Sequence, residues 1–166
     1  MEKQLCRHPF PPICTPESRV LILGSFPSPK SREAAFFYAH PQNRFWRVLA
    51  ALFHEAVPRD VEEKKALLIR NRVALWDTIA SCEISGASDA SITNVVANDL
   101  QPILDGADIR AIFCNGAVSF KWYNALLRDR LGRDARQLPS TSPANAAWSL
   151  EKLINAWGEL ILPCLE

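Results

Sequence analysis

The chain has 166 residues, of which 48% are hydrophobic and 22% charged, and its net charge is +1. This length suits one domain with a buried core, so we expect a single domain over residues 1–166. The near-neutral charge does not by itself point to a nucleic-acid or membrane partner, and a DNA-binding function would need a local basic patch. Because no leader pattern or membrane-length apolar run is present, we expect an intracellular, cytoplasmic protein.

The cysteines and histidines give no pattern typical of a metal or disulfide site. The five cysteines are odd in number and lack C-x-x-C spacing, which argues against a disulfide framework and a clustered zinc or iron–sulfur site. The three histidines have no cysteine or carboxylate at ligand spacing. We therefore expect no metal and no cofactor. Cys114, inside the apolar run "IRAIFCNG", is expected to be a buried, inert thiol.

The first half of the chain predicts one strand and two helices. Residues 1–18 contain four prolines and no periodicity, so we expect them to wrap the surface. "SRVLILGSFPS" predicts a buried strand that ends in a shaped loop at Gly24. Apolar residues recur at helical spacing from Phe45, and Asp60 with Glu63 forms a capping-box pattern ahead of the helix "VEEKKALLIRN".

The second half alternates strands and helices. "RVALWDTI" and "IRAIFCNG" predict strands, and "ARQLPSTSPAN" a brief strand that runs into a loop. Asp99 is placed to cap a short helix through Leu104. "AVSFKWYNALLRDRL" predicts a helix ended by Gly132, and "AWSLEKLINAWGELIL" a last helix. The polar segment 81–99 has no assignment.

This alternation predicts an α/β sandwich with a mainly parallel sheet of about four strands. Such sheets bind ligands beyond the carboxyl ends of their strands. The loops that follow the predicted strands are "GSFPS", "WDT", "CNG" and "LPSTSPAN". These are also the loops richest in unusual residues, so we expect one site where they converge.

Several simpler interpretations of these loops stay open. "GSFPS" has too few glycines for a phosphate-binding or dinucleotide motif, so it is either a tight turn with Phe26 capping the core or part of a site. Ser25 lacks the G-x-S-x-G setting of a serine nucleophile. His40 either lines a pocket or satisfies a loop carbonyl, and His54 is expected to be a solvated helix cap. Asp77 is either a site residue or a cap.

The segment "FFYAHPQNRFW" (36–46) is the most unusual stretch of the chain. It holds five aromatic rings beside two amides, and its first three rings are too crowded for all to face the core. Asn43 is either the N-cap of the following helix or a pocket residue. Aromatic faces beside an amide suit a planar heterocycle, because the rings stack and the amide reads a hydrogen-bonding edge or holds a water.

"GSFPS", "AHPQNRFW" and "STSPAN" together resemble the uracil-DNA glycosylase superfamily, from Leu21 to about Trp157. Uracil-specific members carry a catalytic Asp or Asn where this chain has Phe26, and most have a histidine where it has Ser140. The chain is most similar to the hypoxanthine-DNA glycosylase (DNA-deoxyinosine glycosylase) branch. The resemblance implies a three-layer α/β/α sandwich and a catalytic amide supplied by Asn43.

The resemblance also implies a function and a set of site residues. The expected activity is hydrolysis of the N-glycosidic bond of a flipped deaminated base, most simply hypoxanthine, in double-stranded DNA, by a monomer associated with the nucleoid. The base pocket is expected to comprise Gly24, Ser25, Phe26, Phe37, Tyr38, His40 and Asn115, with Phe26 as a stacking partner. The DNA contacts are expected from Pro27, Ser28, Ser140, Thr141, Ser142, Pro143 and Asn145, with a basic patch of Lys30, Arg32, Arg44 and Arg47.

Two alternatives remain. The first is a uracil- or mismatch-specific glycosylase of the same superfamily that uses an unfamiliar set of residues. The second is a non-catalytic base- or nucleotide-binding module, because the residues most associated with water activation are absent.

Overall fold

The computed structural model describes residues 3–85 and 91–166. The strands in these residues are β1 Gln4–Arg7, β2 Val20–Gly24, β3 Val73–Asp77, β4 Ile79–Ile84, β5 Thr93–Ala97, β6 Ala111–Asn115 and β7 Ala135–Leu138. The helices are α1 Pro29–Ala34, α2 Phe45–Leu52, α3 Val61–Arg70, α4 Gln101–Gly106, α5 Ala117–Leu126, α6 Arg128–Leu131 and α7 Leu150–Ile161, followed by a 3-10 helix over Leu162–Leu165.

Four strands form the central sheet, in the order β3-β2-β6-β7. All three pairings are parallel, which confirms the predicted parallel sheet of about four strands. The chain adds β3 on one side of β2 and later β6 on the other, so strand order reverses at β2. A parallel α/β sheet opens a crevice at such a reversal, beyond the carboxyl ends of its strands.

Alternating strand residues face two separate cores. In β2, Val20 and Ile22 pack with α2, α3 and α7, whereas Leu21 and Leu23 pack on the opposite face with α4 and α5. All four of these side chains have 0% exposure. Each such side chain stabilises the fold by about 1.5–3 kcal/mol, and burial on both faces explains why the strand is continuously apolar. Helices therefore flank the sheet on both faces, as the α/β/α expectation required.

Local signals set the helix ends. Asp60 accepts a hydrogen bond from the Glu63 N–H at 2.8 Å, which confirms the predicted cap of α3. Gly132 has a φ of 65° and ends α6, as the sequence predicts. The long helix predicted before Gly132 is instead two helices, α5 and α6, interrupted at Leu127.

A second sheet was not expected from the sequence. β1, β4 and β5 pair antiparallel in the order β1-β4-β5. The first eighteen residues therefore do more than wrap the surface, because β1 joins this sheet and Ile13 bridges to Leu75 in β3. The unassigned segment 81–99 supplies the last four residues of β4 and all of β5, while its residues 86–90 lie outside the described part. No helix of the described ranges is long and apolar enough to cross a membrane.

Candidate active site

A cavity of about 340 Å³ lies at the carboxyl edge of the central sheet. Strand ends supply its floor, because Gly24 ends β2, Asp77 ends β3 and Asn115 ends β6. The loops after β2 and β7 and the segment before α2 supply its walls. The structure thus brings together the four loops that the sequence selects.

The lining of this cavity contains many of the residues proposed from the sequence. Eight are Asn43 and the seven base-pocket residues, which are Gly24, Ser25, Phe26, Phe37, Tyr38, His40 and Asn115. Six of the seven residues proposed for DNA contacts also line it, and these are Pro27, Ser28, Ser140, Thr141, Ser142 and Pro143. The seventh, Asn145, lines an adjoining depression of about 610 Å³ that shares Ser25 and Asn115 with the cavity.

The amide of Asn43 is held in one orientation. Its Oδ1 accepts hydrogen bonds from the Phe45 N–H at 3.0 Å and from the Thr141 hydroxyl at 2.9 Å. A backbone N–H can only donate, so the first bond identifies the oxygen. With both lone pairs of Oδ1 used by the protein, the group that Asn43 can offer to a ligand is Nδ2–H. Asn43 therefore serves the start of α2 and the cavity at once.

A hydrogen-bonded chain connects Asn43 to the cavity floor. Asn115 accepts from the Thr141 N–H at 3.1 Å and donates through Nδ2 to the Thr141 hydroxyl at 3.0 Å. The same Nδ2 donates to Tyr38 Oη at 3.1 Å. Thr141 has 0% exposure, and its hydroxyl positions Asn43. The DNA-contact role expected for Thr141 stays a prediction.

The aromatic run divides between core and cavity. Phe36 and Phe37 are buried in the main core. Tyr38 turns to the cavity with a φ of 50°, a left-handed conformation that costs a non-glycine residue about 1–3 kcal/mol. Its ring stacks on Phe45 with centroids 4.1 Å apart, and this packing helps to hold the strained residue. The bend thus delivers the Tyr38 ring to the cavity wall, and Phe37 lines the cavity from the core.

Gly24 is required by a close approach at the cavity floor. A Cβ at this position would overlap Asp77 Oδ1 and come within 2.8 Å of Tyr38 Oη. Gly24 and Asp77 are register partners in the β2–β3 pairing. The absence of a side chain on Gly24 is therefore what admits the Asp77 carboxylate and the Tyr38 hydroxyl to the same corner.

Sequence reasoning missed His8, which lies beneath this corner. His8 Nε2 is 2.7 Å from Asp77 Oδ2, and the two side chains are only 3% and 6% exposed. Because the Phe10 N–H donates to His8 Nδ1 at 3.4 Å, Nε2 carries the ring proton and donates to Asp77. No local signal marks His8, since its partner is 69 positions away and only the docking of β1 brings them together.

Arg44 supports the loop between β7 and α7. Its guanidinium donates to the carbonyls of Ser142 at 2.9 Å and Asn145 at 3.1 Å, and also to that of Trp148. Its backbone N–H donates to the Thr141 carbonyl at 3.1 Å. The cation is thus used inside the fold, which corrects the expectation that Arg44 belongs to a DNA-facing basic patch.

The remaining polar and charged residues proposed for the site shape their loops, are exposed, or lie beside the Phe26 ring. Ser28 caps α1 by accepting from the Ser31 N–H at 3.2 Å, and Ser142 accepts from the Ala144 N–H at 3.2 Å, so both hydroxyls shape their loops. Lys30 and Arg47 are exposed, and the Arg32 guanidinium lies 5.5 Å from the centre of the Phe26 ring. Among the described residues, no cluster of His, Cys, Asp and Glu could hold a metal ion.

A parallel α/β sheet with an aromatic and amide-lined cavity beyond its strand ends is typical of a protein that binds a planar base. The sequence model of the uracil DNA glycosylase superfamily matches residues 11–161. The chain therefore belongs to the uracil DNA glycosylase superfamily.

Named relatives and a solved structure resemble nearly the whole chain. A hypoxanthine DNA glycosylase from Methanosarcina barkeri is 31% identical over 152 residues, which cover 90% of this chain and 94% of that protein. A second, from Methanosarcina acetivorans, is 30% identical over 141 residues, or 84% and 89% of the two chains. A solution NMR structure of a candidate uracil DNA glycosylase from Methanosarcina acetivorans superposes with a TM-score of 0.80 at 28% identity, covering 98% and 100% of the two chains.

Proposed function

We propose that this protein is a DNA glycosylase that hydrolyses the N-glycosidic bond of hypoxanthine in double-stranded DNA. Two relatives with that name match at least 84% of the chain. The observation that carries the proposal is the fixed amide of Asn43 on the wall of the cavity. The protein acts as a monomer on DNA in the cytoplasm.

The cavity suits a flipped base. Enzymes that act on a base inside a duplex first rotate the nucleotide out of the stack into a pocket. A cavity of about 340 Å³ is within the size range of small-molecule sites. Tyr38, Phe26 and Phe37 give it apolar faces for a purine ring, while the strand-end residues give its floor hydrogen-bonding groups. The flanking phosphates meet backbone N–H groups of the two loops that frame the opening.

Asn43 acts by hydrogen bonding rather than by taking a proton. As the bond to C1′ breaks, the sugar becomes cationic and the purine becomes anionic. The Nδ2–H of Asn43 stabilises that developing charge on the base, or holds the attacking water beside C1′. An amide is too weak a base to accept the water's proton fully, so the water loses this proton to the departing purine anion as its oxygen bonds to C1′. Phe26 occupies the place of a water-activating carboxamide or carboxylate, so catalysis relies on orientation and on hydrogen bonds to the leaving purine.

The test is a base-release assay with the purified protein. A duplex with one deoxyinosine is incubated beside matched duplexes with deoxyuridine and deoxyxanthosine, and the free bases are quantified. We expect hypoxanthine to be released fastest. Absence of hypoxanthine release at stoichiometric enzyme would refute the proposal. Release of uracil alone would instead identify a uracil glycosylase, and binding to an abasic analogue without any release would identify a binding module.

A further inference from the structure

We infer that Asp77, oriented by His8, determines base specificity by accepting a hydrogen bond from the lactam N–H of the flipped base. This inference rests on the proposed glycosylase function and assigns a residue to the choice of base. In hypoxanthine the lactam N–H is N1–H. The recognition element is a buried carboxylate at the floor of the cavity, separate from the Asn43 amide at its wall.

The Asp77 carboxylate lies where a ligand in the cavity would contact it. Asp77 is 4% exposed and yet lines the cavity. Its Oδ2 takes the hydrogen bond from His8 at 2.7 Å, while its Oδ1 lies in the space left by the missing side chain of Gly24. Asn98 Nδ2 donates to the Asp77 backbone carbonyl at 2.8 Å. The side chain and the backbone of Asp77 are therefore both fixed.

His8 acts as a positioning residue. Its Nδ1 is engaged by the Phe10 N–H, so the ring has no second nitrogen with which to relay a proton to a substrate. Its side chain is 3% exposed, and its ring packs edge-on against Phe10 with centroids 4.6 Å apart. The imidazole therefore holds Asp77 in a single rotamer. Its hydrogen bond also offsets part of the free-energy cost of burying a carboxylate.

The other polar residue of the floor is a weaker acceptor. Both amide hydrogens of Asn115 are used by Tyr38 Oη and the Thr141 hydroxyl, and its neutral Oδ1, which already accepts from the Thr141 N–H, binds an N–H less strongly than a carboxylate does. Asn115 is thereby committed to holding the site together. A strong acceptor at the floor is supplied by Asp77.

This acceptor distinguishes a deaminated purine from adenine. The N1 position of hypoxanthine carries a hydrogen, whereas N1 of adenine carries a lone pair. The first makes a charge-assisted hydrogen bond with a carboxylate, and the second brings two acceptors together without a proton. A carboxylate also accepts from the ring N–H of uracil or xanthine, so Asp77 selects for the lactam group and not for one base.

The experiment compares two purines in wild-type and variant protein. Duplexes carry either 2′-deoxyinosine or 2′-deoxynebularine, whose purine has a lone pair at N1 and no exocyclic group. The measured quantity is the ratio of kcat/KM for the two substrates. Because the intrinsic reactivity of each glycosidic bond is the same for every protein, it cancels when ratios are compared. Asp77→Asn should reduce the preference for inosine by about 10- to 100-fold, since an amide can rotate to donate to N1.

Two further variants distinguish a loss of orientation of the Asp77 carboxylate from a nonspecific effect of substitution on the protein. His8→Ala should reduce the same preference by about 3- to 10-fold, because the carboxylate remains but is no longer held. Asp108→Asn changes a carboxylate that is 77% exposed and should leave the ratio unchanged. Equal losses of kcat/KM on both substrates in Asp77→Asn would show a chemical or purely structural role and would overturn the inference.

A binding measurement covers the case in which Asp77→Asn does not fold. Asn43→Ala protein, which keeps Asp77, should bind the deoxyinosine duplex about 10- to 100-fold more tightly than the deoxynebularine duplex. Equal Kd values would overturn the inference. This result is independent of catalysis, so a wild-type protein that releases no hypoxanthine would refute the proposed function without deciding the role of Asp77.

Discussion

Asn43 illustrates how one side chain serves two purposes at the scale of a residue. The sequence leaves a choice between the N-cap of α2 and a pocket residue; the N-cap residue is Arg44, so Asn43 lies one position before the cap and lines the cavity. Oδ1 bonds the Phe45 N–H at the start of α2 while the residue also lines the cavity. This bond to the backbone fixes the amide without enclosing it, and a group that acts on a ligand must be both fixed and accessible.

Substitutions of Asn43 test which part of the amide acts. Asn43→Ala should reduce hypoxanthine release by about 10²- to 10³-fold, the usual loss when one donor aimed at developing charge is removed. Asn43→Asp should be equally poor, because it keeps the acceptor for Phe45 and Thr141 but offers no N–H. Single-turnover kinetics measure both. Gln42→Ala, an exposed neighbour, is the control, and full activity of Asn43→Asp would indicate water activation instead.

Among the secondary-structure elements, α2 is positioned by Arg44, which connects the start of this helix to a neighbouring loop. The same turn that supplies Asn43 sends the Arg44 guanidinium into the loop between β7 and α7. Trp157 in α7 holds the start of that loop through the Pro139 carbonyl at 2.9 Å. Thr141, which bonds Asn43, lies between these two anchors, so the start of α2 and the loop form one unit.

Arg44→Lys tests this anchoring against a DNA-contact role. Lysine keeps the charge but cannot reach several carbonyls at once. We expect the free energy of unfolding to fall by about 2–3 kcal/mol, and hypoxanthine release to fall by about 10-fold or more. Denaturant unfolding and the base-release assay measure the two effects. Arg47→Lys, an exposed cation one turn along α2, is the matched control, and an unchanged stability in Arg44→Lys would contradict the anchoring role.

In the molecule as a whole, the central sheet separates two cores. Ionisable side chains are buried among the apolar side chains of one of them. Burial raises the pKa of the Cys114 thiol to about 12, in agreement with the inert thiol predicted from its apolar run. Burial also raises the pKa of Tyr123 to about 12. Both residues belong to the core between the sheet and the α4 and α5 side.

These pKa shifts predict loss of stability in alkali. The ordinary pKa values of a thiol and a phenol are 9.0 and 10.0, so above these the unfolded chain releases protons that the native state keeps. The contribution of these two groups to the free energy of unfolding should therefore be constant below about pH 9 and fall as pH rises toward about 12. Denaturant unfolding between about pH 8 and 11 measures it. Tyr123→Phe should flatten the decline above about pH 10, and a flat profile for the wild-type protein would contradict the shifts.

The central α/β layer and many of the residues that line the cavity were predictable from local sequence patterns. Continuous apolar runs ending in glycine, aspartate or asparagine define β2, β3 and β6, and their parallel pairing brings Gly24, Asp77 and Asn115 to one edge. These signals are local, because burial on both faces of a strand and capping of a helix leave a pattern within a few residues. The motifs around Asn43 are equally local.

Which polar groups meet in the site depends on how the two sheets and the loops pack together. The second sheet is made of short strands that are only partly buried, such as β5, and half-buried strands leave a weak pattern. The docking of β1 against β4 carries His8 beneath Asp77, and the partners of Arg44 are about a hundred positions distant. A hydrogen bond between remote residues depends on how layers pack, and packing has no signature in either segment alone.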